Sequence, residues 1–174
     1  MPAGGLFRIP FGGDVGGDAL IYPSTSTSAS TGAGEIAYHS NSVATVFDVH
    51  CILASNALKH GTDEQRQRWL RPLVAGEIVG AFATGEPAAS SDLAPTAVRT
   101  RADRTGDGWV LNGTKQWITN SPVAAFIVVL ARTDDRLTTF IVPTDTPASA
   151  SACLTARSET EVNSLRTSPS PRCA

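Results

Sequence analysis

Two short segments carry residues suited to holding a flat redox ring or a phosphate. Residues 82–92 read Phe-Ala-Thr-Gly-Glu-Pro-Ala-Ala-Ser-Ser-Asp, and residues 113–120 read Gly-Thr-Lys-Gln-Trp-Ile-Thr-Asn. On a strand, alternation would put Trp117 and Thr119 on one face. A ring stacked on the indole would then receive a hydrogen bond from the threonine. Small residues at 88–91 would let backbone N–H groups approach a phosphate.

The same residues also fit a purely structural interpretation. A tryptophan on a strand is most often highly buried, and Thr119 or Ser91 alone indicates little about chemistry. A site for a flat ring is indicated because the two segments occur together and in this order, separated by residues 93–112.

The composition excludes several classes of function. A formal net charge of −2 gives no electrostatic basis for binding nucleic acid or an anionic membrane surface. The longest apolar run, residues 124–131, is far too short to span a bilayer, and the N-terminal residues lack the pattern of a secretory signal. The sequence therefore predicts a cytoplasmic protein without a nucleic-acid or membrane partner.

Neither the cysteines nor the histidines indicate a metal site. The three cysteines are widely spaced and odd in number, which also argues against a disulfide framework. The three histidines would scatter around a helix instead of converging on one ion. One of them, His50, falls on an apolar helical stripe and is predicted to be a hydrogen-bonded core residue. The residues concerned are Cys51, Cys153, Cys173, His39, His50 and His60.

Two helices are predicted in the first part of the chain. Apolar residues between about 35 and 59 follow the spacing of one buried helical face. The Ser/Thr/Ala/Gly-rich tract at 24–34 predicts a loop or a poorly specified helix start. Thr62 and Gln65 form a capping-box pattern that begins a second helix, which Gly76 ends. The predicted buried stripe comprises Val43, Val46, Phe47, His50, Leu53, Ala54, Ala57 and Leu58.

After Gly76 the hydrophobic period changes to two, which is typical of strands. Glycine and asparagine residues at 106–108 and 112–113 predict hairpin turns, and residues 133–136 join the last two strands. The predicted strands are 79–83, 97–103, 109–111, 116–119, 126–131 and 138–142.

These elements predict an α+β fold. A partial helical domain would occupy residues 1–76, an antiparallel β domain would occupy 77–147, and an irregular, incomplete tail would occupy 148–174.

Both segments resemble motifs of the acyl-CoA dehydrogenase family of flavoenzymes. The family's middle domain carries a strand close to F-A-x-T-E-P-x-A-G-S-D and then N-G-x-K-x-W-I-T-N, the order found at 82–92 and 112–120. The resemblance implies an N-terminal helical domain, an antiparallel β-barrel-like middle domain and a C-terminal four-helix domain. The sequence matches the later part of the first and most of the second, and the third is expected to be absent from it.

The resemblance also implies a reaction. FAD would accept a hydride at flavin N5 from the β-carbon of an acyl-CoA, while a carboxylate removes the α-proton and hydrogen bonds polarise the thioester carbonyl. Electrons would pass to an electron-transfer flavoprotein, and a full-length relative would be a homodimer or tetramer. The family's catalytic glutamate lies in the C-terminal domain, so no catalytic base is assigned in this sequence. Glu86, within the first motif, is expected to be structural.

The match to the motifs assigns flavin contacts residue by residue. Phe82 and Thr84 would contribute backbone contacts to the edge of the isoalloxazine ring. Trp117 would lie against the face of the ring, and Thr119 would donate a hydrogen bond to N5, with Ile118 between them also in the cofactor site. A hydroxyl suits that position because it can donate to oxidised N5 and accept from the reduced N5–H.

The remaining assigned positions lie in the first motif. Ser91 would lie at the pyrophosphate and ribityl region and contact the substrate. Gly85 stands where the family has a threonine, and Ser90 stands where it has a glycine. Both belong to the cofactor site, and either change would weaken flavin binding by one hydrogen bond, about 1 kcal/mol.

Two functions follow from the sequence. The first is an FAD-dependent oxidoreductase acting on CH–CH groups in fatty acid metabolism, an acyl-CoA dehydrogenase present as a fragment that is inactive by itself. The alternative is a non-catalytic remnant that binds FAD or acyl-CoA weakly or serves as an interaction module. The departures at Gly85 and Ser90 favour the alternative.

Overall fold

The computed structural model describes residues 6–18, 25–89, 92–106, 108–134 and 136–145. The chain divides into two compact units, Met1–Ala81 and Phe82–Ala174. Helices make up the described part of the first unit as far as Ala75, and the strands of a sheet follow from Gly80, so the fold is α+β as predicted. The predicted tail at 148–174 lies outside the described residues.

The described part of the first unit begins with two short 3₁₀ turns, Leu6–Arg8 and Gly13–Val15. Helix α1 then covers Thr25–His39. A continuous helical stretch follows, formed by α2 (Asn41–Asp48), a π-helical segment (Val49–Ala54) and α3 (Ser55–Lys59). The next stretch contains α4 (Asp63–Gln65), a second π-helical segment (Arg66–Leu70) and α5 (Arg71–Ala75). No helix among the described residues is long and apolar enough to cross a bilayer.

The single helix predicted over 35–59 is divided in two by Ser40. This residue has an extended backbone (φ −158°, ψ 107°), and its hydroxyl accepts a hydrogen bond from the Val43 N–H, which begins α2. Of the two predictions for the tract at 24–34, the helix start is the one that the structure shows, since α1 begins at Thr25. Within this helix Gly32 faces Phe47, since a Cβ at Gly32 would lie 3.5 Å from the Phe47 ring, an ordinary van der Waals contact.

The buried face of the stretch from α2 to α3 contains only four of the eight residues of the predicted stripe: Phe47, His50, Ala54 and Leu58. Three predicted members are exposed: Val43, Val46 and Leu53, at 56%, 47% and 39%. Apolar residues occupy two adjacent helical stripes, so periodicity alone did not determine which one faces the core. Packing against α1 and the N-terminal segment selects the second stripe. The buried residues are Ala44, Phe47, Val49, His50, Cys51, Ala54, Ser55 and Leu58.

His50 is a core histidine, as predicted. It is 2% exposed, its Nε2 lies 2.9 Å from the carbonyl oxygen of Leu73, and its ring centroid lies 4.5 Å from that of Phe7. Burial lowers the pKa of His50, and the hydrogen bond to Leu73 opposes that change only in part. The neutral ring, donating from Nε2, is therefore the form that the fold accommodates.

The predicted capping box is present at the start of α4. The Thr62 hydroxyl accepts from the Gln65 N–H at 3.3 Å, and the Gln65 side-chain oxygen accepts from the Thr62 N–H at 2.9 Å. Gly76 ends α5 in the left-handed conformation at φ 73°, which a glycine adopts without steric cost.

The sheet has five strands in the described residues, with β4 at its centre. The strands are β1 (Gly80–Ala83), β2 (Arg101–Thr105), β3 (Gly108–Asn112), β4 (Phe126–Thr133) and β5 (Arg136–Pro143). β5 pairs antiparallel with the whole of β4 through the predicted turn, and β2 pairs with β3 through the predicted turn at Gly106. Because β5 occupies one edge of β4, β1 and β2 share the other.

One pairing departs from the predicted antiparallel sheet. β2 meets β4 in parallel at Arg101 and Arg132, and the Arg132 N–H donates to the Thr100 carbonyl at 2.8 Å. The sheet also curves, since the rings of Trp109 on β3 and Phe140 on β5 lie 5.4 Å apart although two strands separate them in the strand order. That curvature agrees with the barrel-like arrangement expected from the sequence.

Lowering the pH should destabilise the first unit through His50. The unfolded histidine takes up a proton near pH 6.5, whereas the folded one resists protonation to a lower pH, so the free energy of unfolding should fall as the pH drops below about 6.5. Urea unfolding between pH 5 and 7.5 measures this slope. His50→Gln, which keeps a side-chain N–H donor, should flatten the slope, and the exposed-residue control His60→Gln should not. Equal slopes for wild type and His50→Gln would contradict the assignment.

Candidate functional site

A buried carboxylate at Glu86 joins three separate parts of the second unit. Glu86 is 2% exposed. Its Oε2 accepts from the Arg99 N–H at 2.7 Å, and its Oε1 accepts from the Thr100 N–H at 3.0 Å and from the Thr100 hydroxyl at 2.5 Å. The Lys115 ammonium donates to the same Oε1 at 2.8 Å. One side chain from the first motif is thus bonded to the segment before β2 and to the second motif.

The electrostatics of this cluster keep Glu86 ionised. Burial favours the neutral acid and raises the pKa of Glu86, but the hydrogen bonds from Lys115, Thr100 and the Arg99 N–H outweigh burial and hold the pKa below its ordinary value. Burial lowers the pKa of Lys115, and the hydrogen bond and charge of Glu86 oppose that change. Because neither charge reaches solvent, each depends on the other for stabilisation.

Further hydrogen bonds connect the two motifs directly. The Lys115 ammonium donates to the Thr84 carbonyl at 3.1 Å. The Gln116 backbone N–H donates to the Gly85 carbonyl at 3.0 Å, and its side-chain amide donates to the Glu86 carbonyl at 3.2 Å. The segments around residues 85 and 116 therefore lie side by side.

Gly113 has a packing role that the sequence did not reveal. Its predicted part in a hairpin turn is wrong, because no strand follows β3 in the described residues until β4. A Cβ at Gly113 would lie 2.6 Å from the Thr100 Cα, so only glycine fits where the chain passes the residue that hydrogen-bonds to Glu86.

The predicted strand over 116–119 is also wrong. Residues 113–118 have no regular secondary structure, and Trp117 has a left-handed backbone with φ 59°. Strand alternation therefore does not place Trp117 and Thr119 on one face. The indole is 54% exposed, Ile118 between them is 6% exposed, and Thr119 is half-buried.

The assigned residues of the first motif lie in and after β1. Phe82 is on β1 and is half-buried. Thr84 and Gly85, just beyond the strand, provide the carbonyl oxygens that accept from Lys115 and Gln116. Ser90 and Ser91 lie outside the described residues, so their predicted contacts stay predictions.

Lys115 and Thr100 are the structural residues that sequence reasoning missed. A usable signal was present, since the first motif carries the charged residues Glu86 and Asp92 and the second carries Lys115. Two motifs that form one site bring such residues together, and opposite charges in a core are paired. Thr100 left no comparable signal. Among the described residues, no group of histidine, cysteine or acidic side chains could hold a metal ion.

Comparison with family models agrees with this geometry. The model of the acyl-CoA dehydrogenase N-terminal domain matches residues 1–77, and the model of the middle domain of the same family matches residues 81–169. The chain belongs to the acyl-CoA dehydrogenase family. The matched middle domain contains both motifs and the Glu86–Lys115 ion pair between them.

Individual relatives support the same assignment. The bovine mitochondrial short-chain specific acyl-CoA dehydrogenase is 47% identical over 95 residues, covering 52% of this chain and 23% of the relative. Potato mitochondrial isovaleryl-CoA dehydrogenase is 46% identical over 101 residues, covering 58% and 24%. A Mycobacterium smegmatis glutaryl-CoA dehydrogenase structure, in complex with FADH2, superposes with a TM-score of 0.74 at 34% identity, covering 83% of this chain and 36% of that one.

The chain spans about a quarter of the length of these curated relatives and about a third of the solved structure. Both curated relatives are mitochondrial proteins by name. The cytoplasmic location expected from the sequence stays a prediction.

Replacing Lys115 with methionine should destabilise the second unit by about 3–5 kcal/mol, because Glu86 would keep its charge in the core without its cation. Chemical unfolding measures the change. The matched control is Arg66→Met, which breaks the surface pair with Asp63 and should cost less than about 1 kcal/mol. The double variant Glu86→Gln/Lys115→Met should recover part of the loss. Additive losses in the double variant would show that the two residues are not coupled.

Proposed function

We propose that this chain is the part of an FAD-dependent acyl-CoA dehydrogenase that holds the flavin beside the acyl-CoA thioester. The observation that carries the proposal is the junction of the two motifs, where hydrogen bonds from Lys115 and Gln116 to Thr84, Gly85 and Glu86 join the segment just before the exposed Trp117 to the segment just after β1. When bound, FAD supplies the redox chemistry and takes the hydride that leaves the β-carbon of the acyl group.

The donor set present fits a flavin. Trp117 offers a half-exposed aromatic face for stacking. Thr119, two residues on, offers a hydroxyl that donates or accepts as the redox state of the ring requires. Backbone groups at Phe82 and Thr84 are proposed to contact the ring edge, and the Thr84 carbonyl also accepts from Lys115. Ser91 is proposed at the pyrophosphate, near the substrate.

The substrate is proposed as an acyl-CoA thioester of unassigned acyl group. Relatives named for short-chain, isovaleryl and glutaryl thioesters all resemble this chain, so the shared CoA thioester is the common element. An electron-transfer flavoprotein is proposed as the electron acceptor of the whole enzyme, and a homodimer or tetramer as its assembly.

Glu86 does not serve as the base in this proposal. Both of its oxygens accept hydrogen bonds inside the core, and its low pKa makes it a poor proton acceptor. No residue of this chain is assigned to remove the α-proton. The chain by itself is therefore proposed to bind FAD without turning over an acyl-CoA.

The alternative function, a binding module without catalysis, is favoured by one observation at Gly85. The described glycines with positive φ are Gly16, Gly76 and Gly106, so the φ of Gly85 does not itself require glycine. Glycine at this position removes a side-chain hydroxyl without meeting a requirement for positive φ. A weak affinity of this chain for FAD would favour the binding module over the dehydrogenase.

Removing the indole at Trp117 should weaken FAD binding. Loss of aromatic stacking corresponds to about 0.5–1.5 kcal/mol, so Trp117→Ala should raise the Kd for FAD roughly three- to tenfold. Quenching of flavin fluorescence during titration measures the Kd. Trp109→Ala, which removes another half-exposed indole on β3, is the matched control and should leave the Kd unchanged. A wild-type chain that takes up no FAD would contradict the proposed function for this chain.

Restoring a hydroxyl at residue 85 should strengthen FAD binding. One additional hydrogen bond contributes about 1 kcal/mol, so Gly85→Thr should lower the Kd roughly fivefold. Gly85→Val, which has nearly the same shape without the hydroxyl, separates the hydrogen bond from any effect of side-chain bulk. Equal Kd values for the threonine and valine variants would rule out a hydroxyl contact at this position.

A further inference from the structure

The backbone of Trp117 has a conformation that a tryptophan rarely adopts. Its φ of 59° lies in the left-handed region, where the Cβ of an L-residue crowds its own carbonyl. Such a conformation persists only where the surrounding structure imposes it. The indole does not impose it by packing, because 54% of the residue is exposed.

The two residues before Trp117 are fixed by hydrogen bonds of their side chains and, for Gln116, also of the backbone. The Lys115 side chain is 0% exposed and is bonded to Glu86 and to the Thr84 carbonyl. Gln116 is bonded through its backbone N–H and its side-chain amide to the first motif. The chain therefore enters residue 117 at a fixed position and in a fixed direction.

The residues after Trp117 are held as well. Ile118 is 6% exposed, and its carbonyl accepts from the Ser121 N–H at 3.3 Å in a turn. The chain must pass from the bonded Gln116 to the buried Ile118 across one residue. With both neighbours fixed, the backbone at residue 117 takes the conformation that connects them.

We infer that the Glu86–Lys115 ion pair is a positioning device, which holds Trp117 in its left-handed conformation and so presents the exposed indole to a ligand. Lys115 and Glu86 touch no ligand in this account, so they are positioning residues. The link to FAD depends on the function proposed above. The link between the ion pair and the backbone of Trp117 does not depend on it.

The competing explanation is that the turn at 118–121 alone imposes the conformation. Asn120 in this turn also has a positive φ, 71°, so the local sequence could favour left-handed residues without help from the core. The two explanations differ in what happens when the ion pair is removed.

The difference in stability between the variants Trp117→Gly and Trp117→Ala reports the backbone conformation of residue 117, and its measurement needs no ligand. In a left-handed position glycine is favoured, because alanine carries the Cβ that crowds the carbonyl. Trp117→Gly should therefore have a folded-to-unfolded ratio about two- to fivefold higher than Trp117→Ala, measured by urea unfolding. At the exposed Val123, whose φ is not positive, the order should reverse, with Val123→Ala more stable than Val123→Gly.

The same comparison is then made in the Lys115→Met chain. If the ion pair imposes the conformation, the advantage of glycine at residue 117 should disappear and alanine should become the more stable residue. An undiminished advantage of glycine would overturn the inference and assign the conformation to the turn. The comparison is repeated in the Gln116→Ala chain, which loses only the hydrogen bond from the side-chain amide to the Glu86 carbonyl and keeps the ion pair. There the stability advantage of glycine over alanine at residue 117 should be reduced.

FAD titration of the same variants connects the positioning to binding. Lys115→Met should raise the Kd for FAD by the same three- to tenfold factor as Trp117→Ala, and combining the two should add nothing further. If wild type takes up no FAD while the glycine advantage still disappears in Lys115→Met, the proposed function fails and the positioning role stands. If wild type binds FAD and the glycine advantage survives in Lys115→Met, the positioning role fails and the proposed function stands.

Discussion

The pairing of Glu86 with Lys115 is the constraint on which the described part of the second unit depends. Two opposite charges lie in the core, at 2% and 0% exposure, and neither is stable there without the other. Their pairing requires residues 29 positions apart in sequence to meet at 2.8 Å. Since Glu86 also accepts from Thr100, three chain segments are brought together by one carboxylate.

In this arrangement the residues that hold the site together are different from the residue proposed to contact a ligand. Glu86 and Lys115 are buried and are bonded to each other, whereas Trp117, two residues after Lys115, is exposed. Binding residues that lie outside regular secondary structure need a rigid scaffold, because a flexible loop loses conformational entropy when it binds. Lys115 and Gln116 connect such a segment to the strand end at Thr84 and Gly85.

Local patterns in the sequence predicted several elements well. The capping box at Thr62 and Gln65 needs only residues three apart, and the turn between β4 and β5 needs only its own four residues, so both were readable without the fold. The buried face of the helical stretch from α2 to α3 was harder to predict. Apolar residues fill two adjacent stripes of α2 and α3, and the choice between them was made by Phe7 and α1, which pack on Phe47.

The sequence by itself determined that two motifs occur in the order of a flavoenzyme family, and with them the α+β class and the list of candidate contacts. It did not determine the conformation of Trp117, for which alternation predicted a strand. Strand propensity is a local quantity, whereas the backbone of residue 117 is constrained by bonds to residues about 30 positions earlier. Only the tertiary structure brings those partners together, because a buried ion pair forms when the rest of the core has excluded water.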